Sequence, residues 1–569
     1  MHVEGAEGDL EHSKPTSLAA DTRTVTVWIL ISRISGFARM ATVAAVLGPT
    51  FFCNLYQTAA LLPSTLYGLL TGTLLAQLLV PPLVRHLDAR NRDAARRVVC
   101  GFLGVAVLIF SLILALSLAL APLLLGTIAA GTEIDAAPGW QIQVGWPLLA
   151  MLMPQIILYA IAGIGGAVQQ AHGRFAFAAA APVLENIGTT LVLLLSAYLF
   201  GTGTTLVDIT LPQLTLLGLG TTAAVALHAF AQWWGARRVG ITLLPRAGWR
   251  DPEVRRILKT GINSGVYTSL YWAVFLVLLL VAGSVPGGTV AFQIGYSLFQ
   301  LPIALAATPL ATAQLPRLSR SFSRGDLAEF ATTFRTSLAL MSFVAIPISL
   351  LLVTMPETLA HAAAFGAMGG AEGVALLTAC IGSLGLGVIS EAAIVISTSA
   401  CYARYNSNLP LRATAVRLAI VLAGVLATMA VPSIGRLWML GIIFSAANLV
   451  AAVYLYRAQD STLPQAPAPI GRELLTKFLL AAIAISPGLL VAYALGGAVG
   501  TSYQSMIAAL TAGILSALCY LAIHWLRGSR ELALLLPARL QGLLAGRLCA
   551  AARVMPPNGG DPLPPVSAG

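Results

Sequence analysis

Apolar residues in this chain collect into long runs separated by short polar breaks. A helix needs about 20 predominantly apolar residues to cross a bilayer. Runs of that length lie at about 24–47, 51–84, 98–124, 143–170, 175–200, 212–235, 257–284, 288–315, 332–354, 372–401, 411–431, 435–456, 474–495 and 503–526. In hydrocarbon every backbone polar group has to be satisfied within its own segment, so such runs are helices. The pattern predicts an all-α polytopic membrane protein with about 14 transmembrane helices. The first two runs, joined by the turn Gly48-Pro49-Thr50, organise the rest, because the first carries Arg33 and Arg39 well inside an otherwise lipid-compatible stretch.

Composition agrees with the pattern. Of 569 residues, 57% are hydrophobic and 10% charged, with a mean hydropathy of +0.84, whereas a soluble domain is about 25% charged. The net charge of +11 would suggest nucleic acid in a soluble protein. Here it reads as Lys and Arg gathered in the loops on one side of the membrane, and no nucleic-acid partner is expected.

The distribution of those charges sets a direction. Loops after even-numbered runs hold Arg85, Arg90, Arg92, Arg96 and Arg97; Arg174; Arg237, Arg238, Arg246, Arg250, Arg255, Arg256 and Lys259; Arg317, Arg320, Arg324 and Arg335; Arg404, Arg412 and Arg417; and Arg457, Arg472 and Lys477. Loops after odd-numbered runs hold only Arg436. Positive loops face the cytoplasm, so both termini are expected there, in a bacterial cytoplasmic (plasma) membrane. The first 23 residues have no hydrophobic region, and no cleavable signal peptide is expected.

Residues 61–85 and 300–320 share an LLP/QLP start and an AQL triplet, each within the second run of a six-run half. Two parallel halves with proline-interrupted helices suggest a transporter with its site between the halves near the midplane. The expected organisation is a cytoplasmic tail 1–23, an N-lobe 24–235, a cytoplasmic inter-lobe loop 236–256, a C-lobe 257–457, two further helices in 474–526, and a basic cytoplasmic tail 527–569 ending in disorder. Within that tail, 531–554 is basic and amphipathic; it either lies along the inner leaflet or packs as a helix.

Arg33 and Arg39 are the leading candidates for function. An arginine at mid-bilayer costs about 2.5 kcal/mol or more on insertion scales and faces a wet cavity or a partner. Six residues apart, they point to different sides of one broad face, about one and two-thirds turns along the helix, with Arg33 expected deep and Arg39 nearer a mouth. The clearest carboxylates within runs are Glu185 and Glu391. Glu185 is read either as a partner of Arg33 or as a proton-coupling group, and Glu391 in the same way. His228, beside Trp233 and Trp234, reads as structural more readily than as a titrating group. Asn263, Ser264, Tyr267 and Tyr271 recur at helical spacing and line either a cavity or a packing seam.

The six cysteines lie in or beside apolar runs without a CxxC pair, so neither disulfide, metal nor cofactor is expected. No HExxH, GxSxG or phosphate-binding loop is present, and no enzymatic activity is expected.

The stretches SRISGFAR at 32–39, LLPSTLYGLLTG and LVPPLVR in the second run, QQAHGRFAFAAAAPVLENIG at 169–188, LPRLSRSFSRGDLAEF at 315–330 and YARYNSNLPLR at 402–412 fall in one order across the first twelve runs. As a set they resemble the MurJ/MviN flippases of the multidrug/oligosaccharidyl-lipid/polysaccharide exporter superfamily. The resemblance implies two six-helix lobes plus two C-terminal helices around a cationic cavity. It also implies alternating access, driven by membrane potential or an ion, that carries the undecaprenyl-pyrophosphate-linked peptidoglycan precursor lipid II from inner to outer leaflet. Arg33 and Arg39 match the family's two first-helix arginines and inherit the role of holding the pyrophosphate, with Ser32, Asn54, Tyr67 and Ser297 as further substrate positions.

The chain departs from that pattern at several of these positions. Relatives carry an acid at Asn54, an arginine at Tyr67, an acid at Gly72 and an arginine at Ser297, and an acid where Met40 follows the second arginine. The seventh, eleventh and twelfth helices lack a carboxylate for the sodium site of some relatives. The chain thus resembles a divergent branch of that family, and the cargo this implies is either lipid II or another polyprenyl-linked glycan. A small-molecule antiporter for organic cations is disfavoured by the two arginines. A transport-dead scaffold recruiting cell-wall synthesis enzymes through its basic loops is the reading from a different class. Membrane lipids and the lipid-linked glycan are the expected partners.

Overall fold

The computed structural model describes residues 15–71, 74–129, 139–464, 470–496 and 501–535. Helices of the first half are α1 (Pro15–Leu47), α2 (Phe51–Thr71), α3 (Leu74–Asp88), α4 (Arg92–Ala119), α5 (Ala121–Ala129), α6 (Trp146–Leu152), α7 (Gln155–Ala171), α8 (Phe175–Phe200) and α9 (Leu211–Arg238). Those of the second half are α10 (Pro252–Ala282), α11 (Gly288–Pro302), α12 (Thr308–Ser323), α13 (Leu327–Thr354), α14 (Pro356–Ala363), α15 (Ala371–Gly385), α16 (Val388–Ala403), α17 (Asn408–Thr428) and α18 (Ser433–Asp460). Then come α19 (Ile470–Ala494), α20 (Ser502–Leu526) and the short α21 (Arg530–Leu535).

Twelve helices among the described residues are long and apolar enough to cross a membrane, and α15–α16, bent by 44° at its break, makes a thirteenth. The run at 51–84 is helical in both described pieces, α2 and α3. The chain is therefore an all-α polytopic membrane protein, with no strand among the described residues.

Helix ends extend past the apolar runs because capping side chains, not hydropathy, terminate them. Asn91 Oδ1 accepts the Ala94 N–H at 3.0 Å and starts α4 six residues before the run at 98. Asp251 Oδ1 accepts the Glu253 N–H at 2.8 Å, with Pro252 in the first helical position of α10. Asp326 caps α13 through the Glu329 N–H at 2.8 Å.

Many of the basic residues expected in loops lie instead in the ends of helices, and two of those described after even-numbered runs are buried. Arg417 lies inside α17 and Lys477 inside α19, with 3% and 4% exposure. Each was drawn into the protein by a carboxylate: Glu391 for Arg417, Glu473 and Glu531 for Lys477. The remaining basic residues still gather at one end of the bundle, because successive spans alternate in direction.

In the first half α1 lies along α8, α8 along α9, and α7 against α9, α3 and α4. In the second, α15 and α17 flank α18, and α13 and α12 pack on α16. The pair α19–α20 rests on α13 and α14, and α10 runs against both α17 and the α2–α3 segment of the first half. The inter-lobe segment passes close over α4: the Arg246 N–H donates to Cys100 O at 3.0 Å, an approach that needs glycine at 104, where a Cβ would overlap the Arg246 carbonyl, and at 248, where it would overlap that of Gly101.

At the arginine-poor end the two halves are sealed. Asn54 at the start of α2 is fully buried. Its amide donates to Gly283 O at 2.9 Å and to Val285 O, and its Oδ1 accepts the Thr289 N–H at 3.1 Å. The Gly287 N–H donates to Thr50 O at 3.2 Å. Gly287 sits at φ +68°, and a Cβ there would come within 2.5 Å of Pro49 Cα, so a left-handed, side-chain-free residue is what the seam needs. About one turn further along α2, Gln57 Nε2 donates to Gln293 Oε1 at 2.8 Å, both buried.

Candidate functional site

The SRISGFAR segment faces α8. Asn186 Nδ2 donates to Ser35 Oγ at 3.0 Å and to Ser32 O at 3.3 Å, and Ser35 Oγ donates to the same carbonyl at 3.0 Å. Ser32 thus contributes its backbone to the packing of α1 on α8.

That register places Glu185, the neighbour of Asn186, at the centre of a polar cluster. Its Oε1 accepts from Tyr159 OH at 2.9 Å and lies 3.7 Å from Arg39 Nη1; its Oε2 is 2.9 Å from His228 Nδ1. Four helices, α1, α7, α8 and α9, each supply one member. Of the two readings of Glu185, the pairing with Arg33 is not formed; Arg39 pairs with it instead. Arg39 is the enclosed arginine, its side chain 23% exposed against 11% for Glu185, whereas Arg33 is exposed with no ion-pair partner among the described residues. The cause is the α1–α8 register, which brings Arg39 rather than Arg33 level with Glu185. His228 joins the cluster through its 2.9 Å contact with Glu185, a place that a structural histidine also fits.

Tyr67 of α2 completes one wall. Its ring lies 6.2 Å from that of Tyr159 and 5.7 Å from that of Phe110. Across the lobes, Ser297 Oγ of α11 meets Met40 Sδ at 3.4 Å, next to Arg39. Arg39 and Glu185 are therefore brought together, with Tyr67 joined to them through Tyr159, while Ser297 reaches Met40, the next residue along from Arg39. Asn54 is not among them; its side chain is committed to the inter-lobe seal.

Glu391 belongs to a separate cluster in the second half. Its Oε2 lies 3.1 Å from Arg417 Nη1, without hydrogen-bond alignment, and both side chains are under 5% exposed. The Arg417 guanidinium lies over the rings of Tyr271 and Phe444, at 5.3 and 4.8 Å, an arrangement in which ring faces share the stabilisation of the cation. Tyr271 in turn hydrogen-bonds Tyr296 at 3.1 Å, and Gln300 donates to both hydroxyls. Gly72, the side chains of Asn263 and Ser264, and 536–554 of the tail lie outside the described residues.

Two members escaped the sequence reading. Tyr159 is one aromatic in an apolar run, with nothing local to set it apart. Arg417 was grouped with the loop charges, although its spacing of five residues from Arg412, deep in an apolar run, was a usable signal.

On α12, Thr308 and Thr312 are exposed about one turn apart, and Arg317 and Arg320 are exposed toward its C-terminal end. In chemical terms the region offers one unpaired arginine, a second arginine held at long range by a carboxylate, and tyrosine and hydroxyl groups around them. That is a site for an anion with a polar body.

Known proteins resemble this chain in sequence and in fold. The chain is 25% identical over 395 residues to a probable lipid II flippase MurJ of Rhizobium tropici, covering 68% of this chain and 71% of that one. It is 22% identical over 399 residues to the lipid II flippase MurJ of Burkholderia cenocepacia, covering 68% and 74%. In fold it is similar to a lipid II flippase MurJ solved in an inward closed conformation, with a TM-score of 0.69, 16% identity, and 88% of this chain and 98% of that one covered. An inward-facing multidrug resistance MATE family transporter of the MOP superfamily follows, with a TM-score of 0.53, 16% identity, and 77% and 96% covered. The profile of the family described as "Lipid II flippase MurJ" matches residues 43–515, most of the chain, and the chain belongs to that family.

Proposed function

We propose that this member of a lipid flippase family moves lipid II from the inner to the outer leaflet by alternating access, with Arg33 and Arg39 holding the pyrophosphate. A disaccharide on a pyrophosphate does not cross hydrocarbon unaided, because each unpartnered polar group costs several kcal/mol there. The observation that carries the reading is the state of the two arginines. Arg33 is unpaired, and Arg39 makes no hydrogen bond to Glu185 at 3.7 Å, so both keep their donors for phosphate oxygens. The arginine-rich end is then the cytoplasmic one, both termini are cytoplasmic, and the Asn54 seam is an outer gate closed in this state. Glu185 is the coupling group: substrate phosphate and the Glu185 carboxylate compete for Arg39. Another polyprenyl-linked glycan is the second reading, favoured by the uncharged Tyr67 and Ser297 beside the arginines, which leave fewer fixed charges for the headgroup than the resembled family has.

Flipping of purified lipid II in proteoliposomes tests the proposal. Wild-type activity lost in Arg33→Ala/Arg39→Ala, with both proteins folded, supports function and site together. Unimpaired flipping by the double variant removes the site assignment. Wild-type protein that leaves lipid II in place but moves another polyprenyl-linked glycan establishes the second reading.

A further inference from the structure

A cavity of about 180 Å³ lies at the arginine-rich end of the second half, away from both clusters above. It is walled by Phe322 of α12, Arg404 and Asn406 of the turn after α16, Leu409 of α17, and Gln459 and Thr462 at the end of α18. Its polar groups are fixed in place and under-used. Gln459 is 1% exposed; its Nε2 donates to Ser397 O at 3.0 Å, which orients the amide, while its Oε1 has no partner. A buried acceptor without a donor is rare in folded proteins and calls for one. Thr462 Oγ1 donates to Gln459 O at 2.7 Å and accepts from Arg404 Nη1 at 2.8 Å, so the hydroxyl ties the arginine to the same wall. The Arg404 guanidinium lies 5.8 Å from the ring centres of Phe322 and Phe330, and no carboxylate among the described residues pairs with it. Asn406 spends its Oδ1 on the Leu409 N–H at 3.2 Å, which leaves its amide N–H groups to donate.

The cavity therefore asks for two things at once: an anion for Arg404 and Asn406, and a hydroxyl or amine donor for Gln459 Oε1. It is smaller than the 300–1,000 Å³ or so of pockets for whole drug-sized ligands, so a headgroup-sized occupant fits. We propose that this cavity binds a phosphate ester carrying a free hydroxyl, of the glycerophosphate type, with the phosphate on Arg404 and Asn406 and the hydroxyl donating to Gln459 Oε1. The source is either the headgroup of an anionic phospholipid such as phosphatidylglycerol or a soluble glycerol phosphate. The proposal is independent of the transport reading, since none of these residues belongs to the Arg33–Arg39 region.

The test uses the full chain purified in detergent and stripped of lipid, with bound molecules counted by native mass spectrometry and stability followed by thermal unfolding. The ligands are short-chain phosphatidylglycerol, phosphatidylcholine of the same chain length, glycerol 3-phosphate and inorganic phosphate. The expected result is retention of one phosphatidylglycerol and not of phosphatidylcholine, with affinity falling about tenfold or more in Arg404→Gln, the loss of a charge-assisted hydrogen bond. Gln459→Met, which keeps the volume, is expected to weaken binding several-fold. Should it fail to fold, Asn406→Ala on the exposed turn serves in its place. Glycerol 3-phosphate binding with the same dependence on Arg404 supports the proposal and identifies the soluble source. Absence of binding by both phosphatidylglycerol and glycerol 3-phosphate, undiminished binding in Arg404→Gln, or inorganic phosphate binding as tightly as the ester would each overturn it.

Discussion

Arg39 and Glu185 lie 3.7 Å apart, close enough to attract and too far to hydrogen-bond. The carboxylate oxygens are already engaged at 2.9 Å by Tyr159 and His228, so Arg39 is held by charge and keeps its directional donors free. Under the proposed function, such a guanidinium can exchange the carboxylate for a phosphate that supplies both charge and aligned acceptors.

Glu185→Gln removes the competing charge and retains an acceptor for Tyr159. The headgroup is expected to bind about fivefold more tightly, roughly 1 kcal/mol for a partly exposed pair, while turnover falls because release loses the carboxylate that recaptures Arg39. Headgroup affinity by calorimetry and flipping rate in proteoliposomes check this together. Weaker binding in the variant would show that Glu185 orients Arg39 for the ligand and does not compete with it.

Asn54→Ala orphans two carbonyls and one N–H of the 283–289 turn, each worth about 1–3 kcal/mol when buried and unpaired. The sealed state is expected to lose at least ~2 kcal/mol and the arginine-poor end to open more often. Val285→Cys, at a position 2% exposed, reports on this through its reaction with a water-soluble thiol reagent. Labelling is expected to rise several-fold when Asn54→Ala is added, measured above the wild-type background of buried cysteines. Equal labelling would mean that backbone contacts such as Gly287 to Thr50 hold the seam without Asn54.

The membrane spans were legible because hydropathy over about 20 residues is a local property, and the described residues of each long run are helical, as one helix or as successive ones such as α15 and α16. What hydropathy did not resolve was the helix termini, set by single capping residues such as Asn91 and Asp326, and the burial of individual charges. Arg417 and Lys477 resembled loop charges because position along the chain does not report which face of a helix meets a carboxylate on another. The same limit applies to the site. Arg39 and Glu185 stood out as charges in apolar runs, but their pairing depends on the α1–α8 register fixed by Asn186 on Ser32 and Ser35, which is tertiary information.

The pair Glu391–Arg417 carries a different expectation from Arg39–Glu185, because both side chains are under 5% exposed. Removing one partner of such a pair leaves an uncompensated buried charge, at a cost of about 3–5 kcal/mol. Glu391→Gln is thus expected to lower the unfolding midpoint in detergent markedly. Adding Arg417→Met, which removes the stranded cation and keeps apolar contact with Tyr271 and Phe444, is expected to restore much of the loss. A double variant no more stable than Glu391→Gln would show that the cation, held by the two rings, is needed in its own right.

Lys477 and Glu531 supply the pH dependence. Lys477 Nζ lies 2.8 Å from Glu531 Oε1 and 2.6 Å from Glu473 Oε1, and also donates to Ala339 O at 2.9 Å, which ties α21 to α19 and α13. Burial pushes the Glu531 carboxyl up, but the hydrogen bond and charge of Lys477 outweigh it and leave the group below the usual glutamate range. A carboxyl lowered on folding contributes stability that is fully present above its unfolded value, about 4.3, and is lost as pH falls through the folded value. Protonation of Glu531 is therefore expected to weaken the docking of α21 below about pH 4.3. Hydrogen exchange of 530–535, corrected for its intrinsic pH dependence, is the measurement. In Glu531→Gln, protection is expected to be lower at neutral pH and to lose this acid step. An acid step of the same size in the variant would assign it to Glu473, the other carboxylate on Lys477.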